Sequence, residues 1–185
     1  IVTRIDPTTQ KPQAIVIDRV DGDGTTLAWP GGMVDPGEDV PDTLQKELTQ
    51  EAVEESNAVE RLFKEGREGV VYRGWVDGHR NTDDAWMETT AVHFHATPEI
   101  AAGLNLSVKD THEVTCVAWK DLDSITAMYA SHYDWLCEIR DEMMPRIVAK
   151  RRFLSLVEAN PAAEWAIANK EADLEHTAKK KKCSA

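Results

Sequence analysis

The sequence predicts an α/β fold in which a mixed β-sheet lies between helices, followed by a helical tail. Short apolar or alternating runs bounded by Gly, Pro or Asp are typical of strands. Helical patterns separate and follow these runs, which favours a mixed sheet flanked by helices. The predicted strands cover residues 13–20, 25–29, 69–76, 86–96 and 114–119.

Composition limits the classes of protein that fit. A chain of 185 residues with 42% hydrophobic residues can form one compact domain with an appendage, but not two full domains. Its net charge of -12 argues against a nucleic-acid partner, which requires a basic face. A phosphate ligand would therefore need a cation. The three scattered cysteines predict neither a disulfide framework nor a zinc site, and favour a reducing compartment.

The sequence shows no pattern typical of a membrane span or a signal peptide. No run approaches the roughly 20 apolar residues of a membrane span, and the segment from Ile1 lacks a signal-peptide core. We therefore expect a cytoplasmic domain without direct membrane insertion. The chain opens without Met in the approach to a strand, which favours a piece cut from a longer protein.

One helix has a clear beginning in the sequence. Asp39 can cap it. Pro41 fits its first turn, because the backbone N–H that proline lacks would have no partner within the helix there. The apolar stripe of this helix consists of Leu44, Leu48 and Ala52.

The last quarter of the chain differs in charge. From Pro145 onward there are nine Lys or Arg residues and five Asp or Glu residues, and the pattern stays helical after Tyr133. We predict one domain over residues 1–144 and a basic helical tail over residues 145–185. The basic residues Lys179–Lys182 are expected to be solvated.

Acidic residues recur on the helix that Asp39 caps. Glu47, Gln50, Glu51 and Glu54 have the spacing of one helical face, where neighbouring carboxylates repel each other. A divalent cation relieves this repulsion, and Mg²⁺ takes one or two protein carboxylates with phosphate oxygens and water. The glycines that precede the helix let backbone approach a phosphate closely. The alternative is a solvated acidic face.

The spacing of these residues resembles a known motif. Gly32, five residues, Glu38, seven residues and then Lys46-Glu47-Leu48-Thr49-Gln50-Glu51 is similar to the Nudix box. Lys46, Gln50 and Val53 depart from that motif, in place of Arg, Glu and Gly. The resemblance implies the Nudix fold, with Glu47 and Glu51 as catalytic metal ligands assisted by Glu38 or Glu54. It leaves Gln50 as an oxygen ligand without charge, which weakens the Mg²⁺ site.

Further segments resemble one branch of that family. Residues 29–38, 72–77, 80–89 and 129–132 are similar to ADP-ribose pyrophosphatases of the mitochondrial type. They are equally similar to the C-terminal cytosolic domain of melastatin-type cation channels gated by ADP-ribose. The likeness covers roughly residues 3–135. It implies Mg²⁺-dependent cleavage of ADP-ribose to AMP and ribose 5-phosphate, or an ADP-ribose sensor with slow or lost cleavage. The channel alternative implies a domain at the cytosolic face of a tetramer.

The resemblance also implies a set of substrate-binding residues. Arg80 is expected to hold phosphate, although alone it fits a surface residue paired with Asp77 or Asp83. Tyr129 and His132 are expected against the nucleotide, with a packed Tyr and a surface His as the alternative. The full set is Gly31, Gly32, Met33, Asp77, Arg80, Tyr129, Ser131 and His132.

The predicted strand from Trp86 carries other polar residues. Glu88 alternates with apolar neighbours, so it is either a catalytic base or a structural hydrogen-bond acceptor. His93 and His95 share the other face and are predicted to be exposed rather than a metal pair, because no third ligand has zinc spacing. The tryptophans Trp119, Trp135 and Trp165 are assigned to packing.

Overall fold

A mixed β-sheet forms the centre of the first part of the chain, as the sequence predicts. The structure is a computed structural model and describes residues 1–22, 24–54, 56–78, 80–108 and 112–159. Within these residues the sheet has six strands. They are β1 (Val2–Ile5), β2 (Pro12–Asp21), β3 (Gly24–Ala28), β4 (Arg67–Trp75), β5 (Glu88–His95) and β6 (Val114–Asp121). Strand β1 is absent from the predicted strands.

Strand β2 organises the sheet because it pairs with three other strands. It runs antiparallel to β1, β3 and β6. Strand β1 is parallel to β5, which in turn pairs antiparallel with β4. The path β3-β2-β1-β5-β4 therefore mixes both directions and leaves β4 at one end.

Helical segments follow three of the six described strands, β3, β5 and β6. The chain separates into two compact units, of which the first ends at Glu142 and the second begins at Met143. The described helices of the first unit are α1 (Val40–Glu51), α2 (Asn57–Glu65), α3 (Pro98–Gly103) and α4 (His132–Glu138), with a 3-10 turn at Leu122–Ser124. A π-helical segment, Ile139–Met143, follows α4.

The second unit contains helix α5 (Met144–Ala159), with Pro145 in its first turn. Proline is tolerated there because the first-turn N–H groups have no partner within the helix. Residues 160–185, with Trp165 and the basic segment Lys179–Lys182, lie outside the described residues. None of the helices in the described ranges combines the length and apolar character that crossing a membrane requires.

Helix α1 begins as predicted but ends sooner than the acidic spacing suggests. The Asp39 carboxylate accepts a hydrogen bond from Asp42 N at 3.0 Å and caps the helix. After Glu51 the chain leaves the helix, because Val53 bridges to Leu106 and Glu54 N donates to a loop carbonyl. The prediction that Glu54 shares the acidic face is therefore wrong.

One cluster of core residues lies between one face of the sheet and helices α1, α2 and α3. Alternate residues of β2 and β5 meet the apolar faces of α1, α2 and α3, which removes their side chains from water. The buried residues of this cluster include Ile15, Ile17, Leu48, Ala52, Val59, Leu62, Val92, Phe94 and Ile100.

The two histidines of β5 are buried, so the prediction that they are exposed is wrong. His93 is 0% exposed and His95 is 7% exposed. The Thr3 hydroxyl lies 2.7 Å from His93 Nε2 and 3.0 Å from His95 Nδ1. Burial lowers the pKa of His93 to about 3, so its ring is neutral. The pairing of β1 with β5 brings this cluster together, and β1 was not predicted.

Candidate functional site

Helix α1 presents two carboxylates at different depths. Glu51, one turn after Glu47, is only 4% exposed, whereas Glu47 is half-buried. Gln50 points to solvent and is exposed. The apolar stripe of Leu48 and Ala52 anchors the helix in the core and thereby fixes the direction of the acidic face.

The glycine loop lies directly on these two carboxylates. Gly31 N donates a hydrogen bond to Glu51 Oε2 at 2.7 Å. A Cβ atom added to Gly32 would overlap the carboxyl group of Glu47, so a larger residue there would displace that carboxyl group. Met33, the next residue, is exposed. The structure thus brings four predicted site residues together: Gly31, Gly32, Glu47 and Glu51.

The burial of these acids changes their ionisation. Desolvation raises the pKa of Glu51 to about 7, against the opposing hydrogen bond from Gly31 N–H, and the Glu47 carboxylate raises it further. Desolvation also raises the pKa of Glu47. In the described part of the chain neither carboxylate forms a salt bridge, although the more distant charges of Lys46 and Arg19 oppose the rise in the pKa of Glu47 and Glu51, respectively.

The carboxylate oxygens of Glu47 and Glu51 are suitable ligands for a divalent cation. Two carboxylates beside exposed backbone can supply the few protein ligands that Mg²⁺ takes. Within the described residues, no group of three or more His, Cys, Asp or Glu side chains could hold a metal by itself. Such a cation would therefore need ligands from water or substrate as well.

Glu38, a predicted metal ligand, is occupied by other partners. Lys46 Nζ lies 2.9 Å from Glu38 Oε1 and 2.9 Å from Asp35 Oδ2. Thr43 Oγ1 donates to the second oxygen, Glu38 Oε2, at 3.0 Å. These bonds tie the glycine loop to α1, so Glu38 would have to leave Lys46 and Thr43 to bind a metal.

A second group of predicted residues surrounds the start of α4. Trp29 N donates to His132 Nδ1 at 3.0 Å, and Trp29 Nε1 donates to His132 O at 3.1 Å. Burial lowers the pKa of His132 to about 4, which keeps the imidazole neutral and able to accept at Nδ1. The Tyr129 ring meets the His132 ring edge-on, with centroids 5.8 Å apart. His132 therefore contacts Trp29, which follows β3 and precedes the glycine loop, and Tyr129 packs against His132.

An aromatic and acidic cleft lies between the end of β4 and α4. Its volume is about 380 Å³. Two predicted substrate-binding residues, Asp77 and Ser131, line it. Tyr72, Trp75 and Trp135 also line it and were not predicted as site residues. The sequence assigns Trp135 to packing, and its helical spacing of four residues from Ser131 is the signal that could place it here.

The remaining predicted residues are Arg80 and Glu88, of which Glu88 contacts the cleft residue Trp75. Arg80 is exposed in a turn. Glu88 is exposed as well, and its carboxylate accepts a hydrogen bond from Trp75 Nε1 at 2.7 Å. In the structure Glu88 is therefore a hydrogen-bond acceptor for Trp75, and its role as a catalytic base stays a prediction.

Sequence comparisons relate this arrangement to known proteins. The chain is 40% identical over 120 residues to the mitochondrial ADP-ribose pyrophosphatase of Rattus norvegicus, covering 59% of this chain and 34% of that protein. It is 39% identical over 113 residues to a nudix hydrolase of Caenorhabditis elegans, covering 60% and 42% respectively. It is 37% identical over 121 residues to transient receptor potential cation channel subfamily M member-like 2 of Nematostella vectensis, covering 60% and 8%. The chain thus spans less than half the length of each of these relatives. No family model matches the chain.

Solved structures share the fold. The NUDIX domain of Shewanella oneidensis NrtR, complexed with ADP ribose, superposes with a TM-score of 0.56 at 12% identity, covering 77% of this chain and 83% of that one. A bifunctional NMN adenylyltransferase/ADP ribose pyrophosphatase from Francisella tularensis, complexed with AMP and a manganese ion, gives a TM-score of 0.51 at 16% identity, covering 76% and 40%.

Proposed function

We propose that this chain, which has the Nudix fold and Nudix hydrolases among its homologues, cleaves the pyrophosphate of ADP-ribose to give AMP and ribose 5-phosphate. One observation carries the proposal. The glycine loop lies on two buried or half-buried carboxylates of one helix, through the Gly31–Glu51 hydrogen bond and the contact of Gly32 with Glu47. The name of the pyrophosphatase relative and the ADP ribose bound to a structural neighbour point to ADP-ribose as the ligand.

Glu47 and Glu51 would hold the divalent cation in this proposal, which we take to be Mg²⁺. The bound cation would polarise the pyrophosphate and lower the pKa of the attacking water. Gln50 is exposed and carries no charge, so it would add at most one weak oxygen ligand. The backbone of Gly31, Gly32 and Met33 would approach the phosphates.

The other predicted residues take supporting roles in the proposal. Arg80 would hold phosphate oxygens through its guanidinium group. Asp77 and Ser131, in the cleft, and Tyr129 and His132, beside it, would contact the nucleoside. Glu88 would serve as a base or as the acceptor that orients Trp75. We also retain the division into a Nudix domain, residues 1–144, and a tail, residues 145–185.

A second candidate function is ADP-ribose sensing with little or no hydrolysis. It is favoured by the cation-channel relatives and by Gln50, whose uncharged side chain weakens a metal site. In this case the chain would be the cytosolic domain of a tetrameric channel, and ligand binding would shift the channel equilibrium.

The experiment incubates the chain with ADP-ribose and Mg²⁺ and measures AMP by chromatography. We expect AMP formation that chelation abolishes and that falls at least about 100-fold in Glu47→Ala and Glu51→Ala. Glu60→Ala, an exposed glutamate of α2, is the matched control and should keep full activity.

Calorimetry with ADP-ribose separates the two candidates. Binding without any AMP would reject hydrolysis and support the sensor, and Gln50→Glu would then test whether the missing charge limits metal binding. The absence of both a binding signal and AMP would reject both functions.

A further inference from the structure

We propose that Asn81 is a positioning residue for Arg80, because its side chain closes the neck of the β4–β5 loop and thereby holds the Arg80 guanidinium in place for a pyrophosphate. The β4–β5 loop comprises residues 76–87, of which 76–78 and 80–87 are described. The proposal rests on the proposed function for the identity of the ligand. Asn81 is not among the predicted site residues.

The Asn81 side chain joins the two ends of the loop. Its Nδ2 donates to Val76 O at 2.9 Å, and its Oδ1 accepts from Met87 N at 2.9 Å. An amide satisfies both backbone groups because it carries a donor and an acceptor. Val76 N also donates to Met87 O at 3.0 Å, so backbone and side chain close the neck together. The loop thus has a fixed base.

Turns on both sides of Asn81 fix the rest of the loop. Asn81 N donates to Gly78 O at 2.9 Å, which closes a turn that contains Arg80. Thr82 N donates to Ala85 O at 2.8 Å, and Ala85 N donates to Thr82 Oγ1 at 3.1 Å, which closes a second turn. The backbone at Arg80 is therefore held between the neck and a turn, and Asn81 takes part in both.

The guanidinium of Arg80 is available to an external anion. Arg80 is exposed, and within the described residues it forms no salt bridge with Asp77 or Asp83, the partners that the sequence allowed. A guanidinium can hold phosphate oxygens through two parallel hydrogen bonds, which require a defined position and orientation. A fixed loop that carries an unpaired arginine suits this task.

The loop begins at the cleft beside α4. Asp77, its second residue, lines that cleft together with Ser131. The next residue after Ser131, His132, accepts a hydrogen bond from Trp29 N, just before the glycine loop. Arg80 is three residues from Asp77, so their Cα atoms are at most about 11.4 Å apart. The neck that Asn81 closes is therefore attached to the candidate site.

The physical consequence is preorganisation of Arg80. A free loop of this length would sample many backbone conformations, and ligand binding would have to restrict them. The hydrogen bonds of Asn81 restrict the loop before a ligand arrives, so less conformational entropy is lost on binding. Asn81 thus affects ligand binding through Arg80 and needs no contact with the ligand itself.

The test measures binding by calorimetry with Mg²⁺ and an ADP-ribose analogue in which a methylene group replaces the bridging oxygen of the pyrophosphate and prevents cleavage. Arg80→Ala should weaken binding at least about tenfold, since it removes charge-assisted hydrogen bonds. Asn81→Ala should weaken it at least about fivefold, since Arg80 is then misplaced. The double variant Arg80→Ala/Asn81→Ala should bind as Arg80→Ala does, because Asn81 acts through Arg80.

Asp6→Ala is the matched control. The Asp6 carboxylate accepts from Thr8 N at 2.7 Å and from Thr9 N at 2.8 Å, so this variant also removes two side-chain hydrogen bonds from a loop. It should bind the analogue as the wild type does. Asn81→Ala should still unfold in one cooperative transition in urea, because the Val76–Met87 backbone bond remains at the neck.

Kinetics of ADP-ribose hydrolysis give a second measurement. Asn81→Ala should divide its effect between KM and kcat in the same proportion as Arg80→Ala, because both variants remove the same interaction with the substrate. A change in kcat alone in one variant and in KM alone in the other would contradict a shared cause.

Analogue binding by Asn81→Ala or by Arg80→Ala at wild-type affinity would overturn the proposal. Losses that add in the double variant would overturn it as well, because Asn81 would then act independently of Arg80. Analogue binding with the expected coupling, but no AMP from ADP-ribose, would reject the proposed hydrolysis alone. The absence of binding by the wild type would reject ADP-ribose as the ligand and with it both proposals.

Discussion

The substitution Glu51→Gln tests the desolvation of the acidic face through folding stability. The variant keeps the oxygen that accepts from Gly31 N–H and removes the ionisable group. Because Glu51 is 4% exposed, the fold disfavours its charged form. We expect the wild type to lose stability with rising pH and the variant to lack this loss.

The magnitude follows from the pKa of Glu51. It rises from the ordinary 4.5 to about 7 in the folded chain. Each tenfold change in proton affinity is worth 1.36 kcal/mol, so the difference corresponds to about 3 kcal/mol. Below pH 4.5 both states hold the proton. Between pH 4.5 and 7 only the unfolded state releases it, so the free energy of unfolding falls through this window and is level above it.

Urea denaturation at pH 5 and pH 8 in EDTA measures this loss. From pH 5 to pH 8 the wild type should lose about 2 to 3 kcal/mol more free energy of unfolding than Glu51→Gln loses. Adding Mg²⁺ at pH 8 should stabilise the wild type selectively, by about 2.7 kcal/mol at 100 times the dissociation constant. The control Glu60→Gln changes an exposed carboxylate of α2 and should follow the wild type.

Identical pH dependence in Glu51→Gln and the wild type would refute the reasoning, because the cost of ionising Glu51 would then be absent. Equal stabilisation of both proteins by Mg²⁺ would show that the cation binds away from Glu51.

Three further predictions follow from single contacts. Gly32→Ala should displace the Glu47 carboxylate and thereby reduce ADP-ribose hydrolysis at least about tenfold. Its free energy of unfolding, measured by urea denaturation, should fall by less than about 1 kcal/mol. The control Gly24→Ala should retain activity, because a Cβ atom at Gly24 meets no atom within 4 Å. His132→Ala should lower the free energy of unfolding by about 1 to 3 kcal/mol, because the backbone N–H of buried Trp29 loses its acceptor. A smaller loss would show that water replaces the imidazole. Lys46→Ala should leave the midpoint of urea denaturation nearly unchanged, since its ion pairs with Asp35 and Glu38 are partly exposed, and a clear fall in that midpoint would contradict this.

Local signals in the sequence predicted much of the fold. Period-two runs identified β2 to β6 to within a few residues, and the cap at Asp39 marked the start of α1. The spacing of Glu47 and Glu51 also predicted their common face. These features depend on residues within a few positions of each other, where helix and strand geometry fixes which side chains are neighbours.

Contacts between distant residues decided what the sequence missed. The helix ends before Glu54 because the following residues pair with the loop near Leu106, which no local pattern indicates. His93 and His95 are buried because β1 pairs with β5 and brings Thr3 to them. Residues far apart in sequence also form the stack of Tyr72, Trp135 and His132.

The sequence by itself determined the acidic helix, its glycine loop and the family resemblance, because these depend on residue types at fixed short spacings. Only the tertiary structure decided the depth of each carboxylate, the neutral state of His132 and the cleft at Trp75. Desolvation and stacking depend on which distant segments exclude water from a side chain, and that exclusion exists only after the chain has folded.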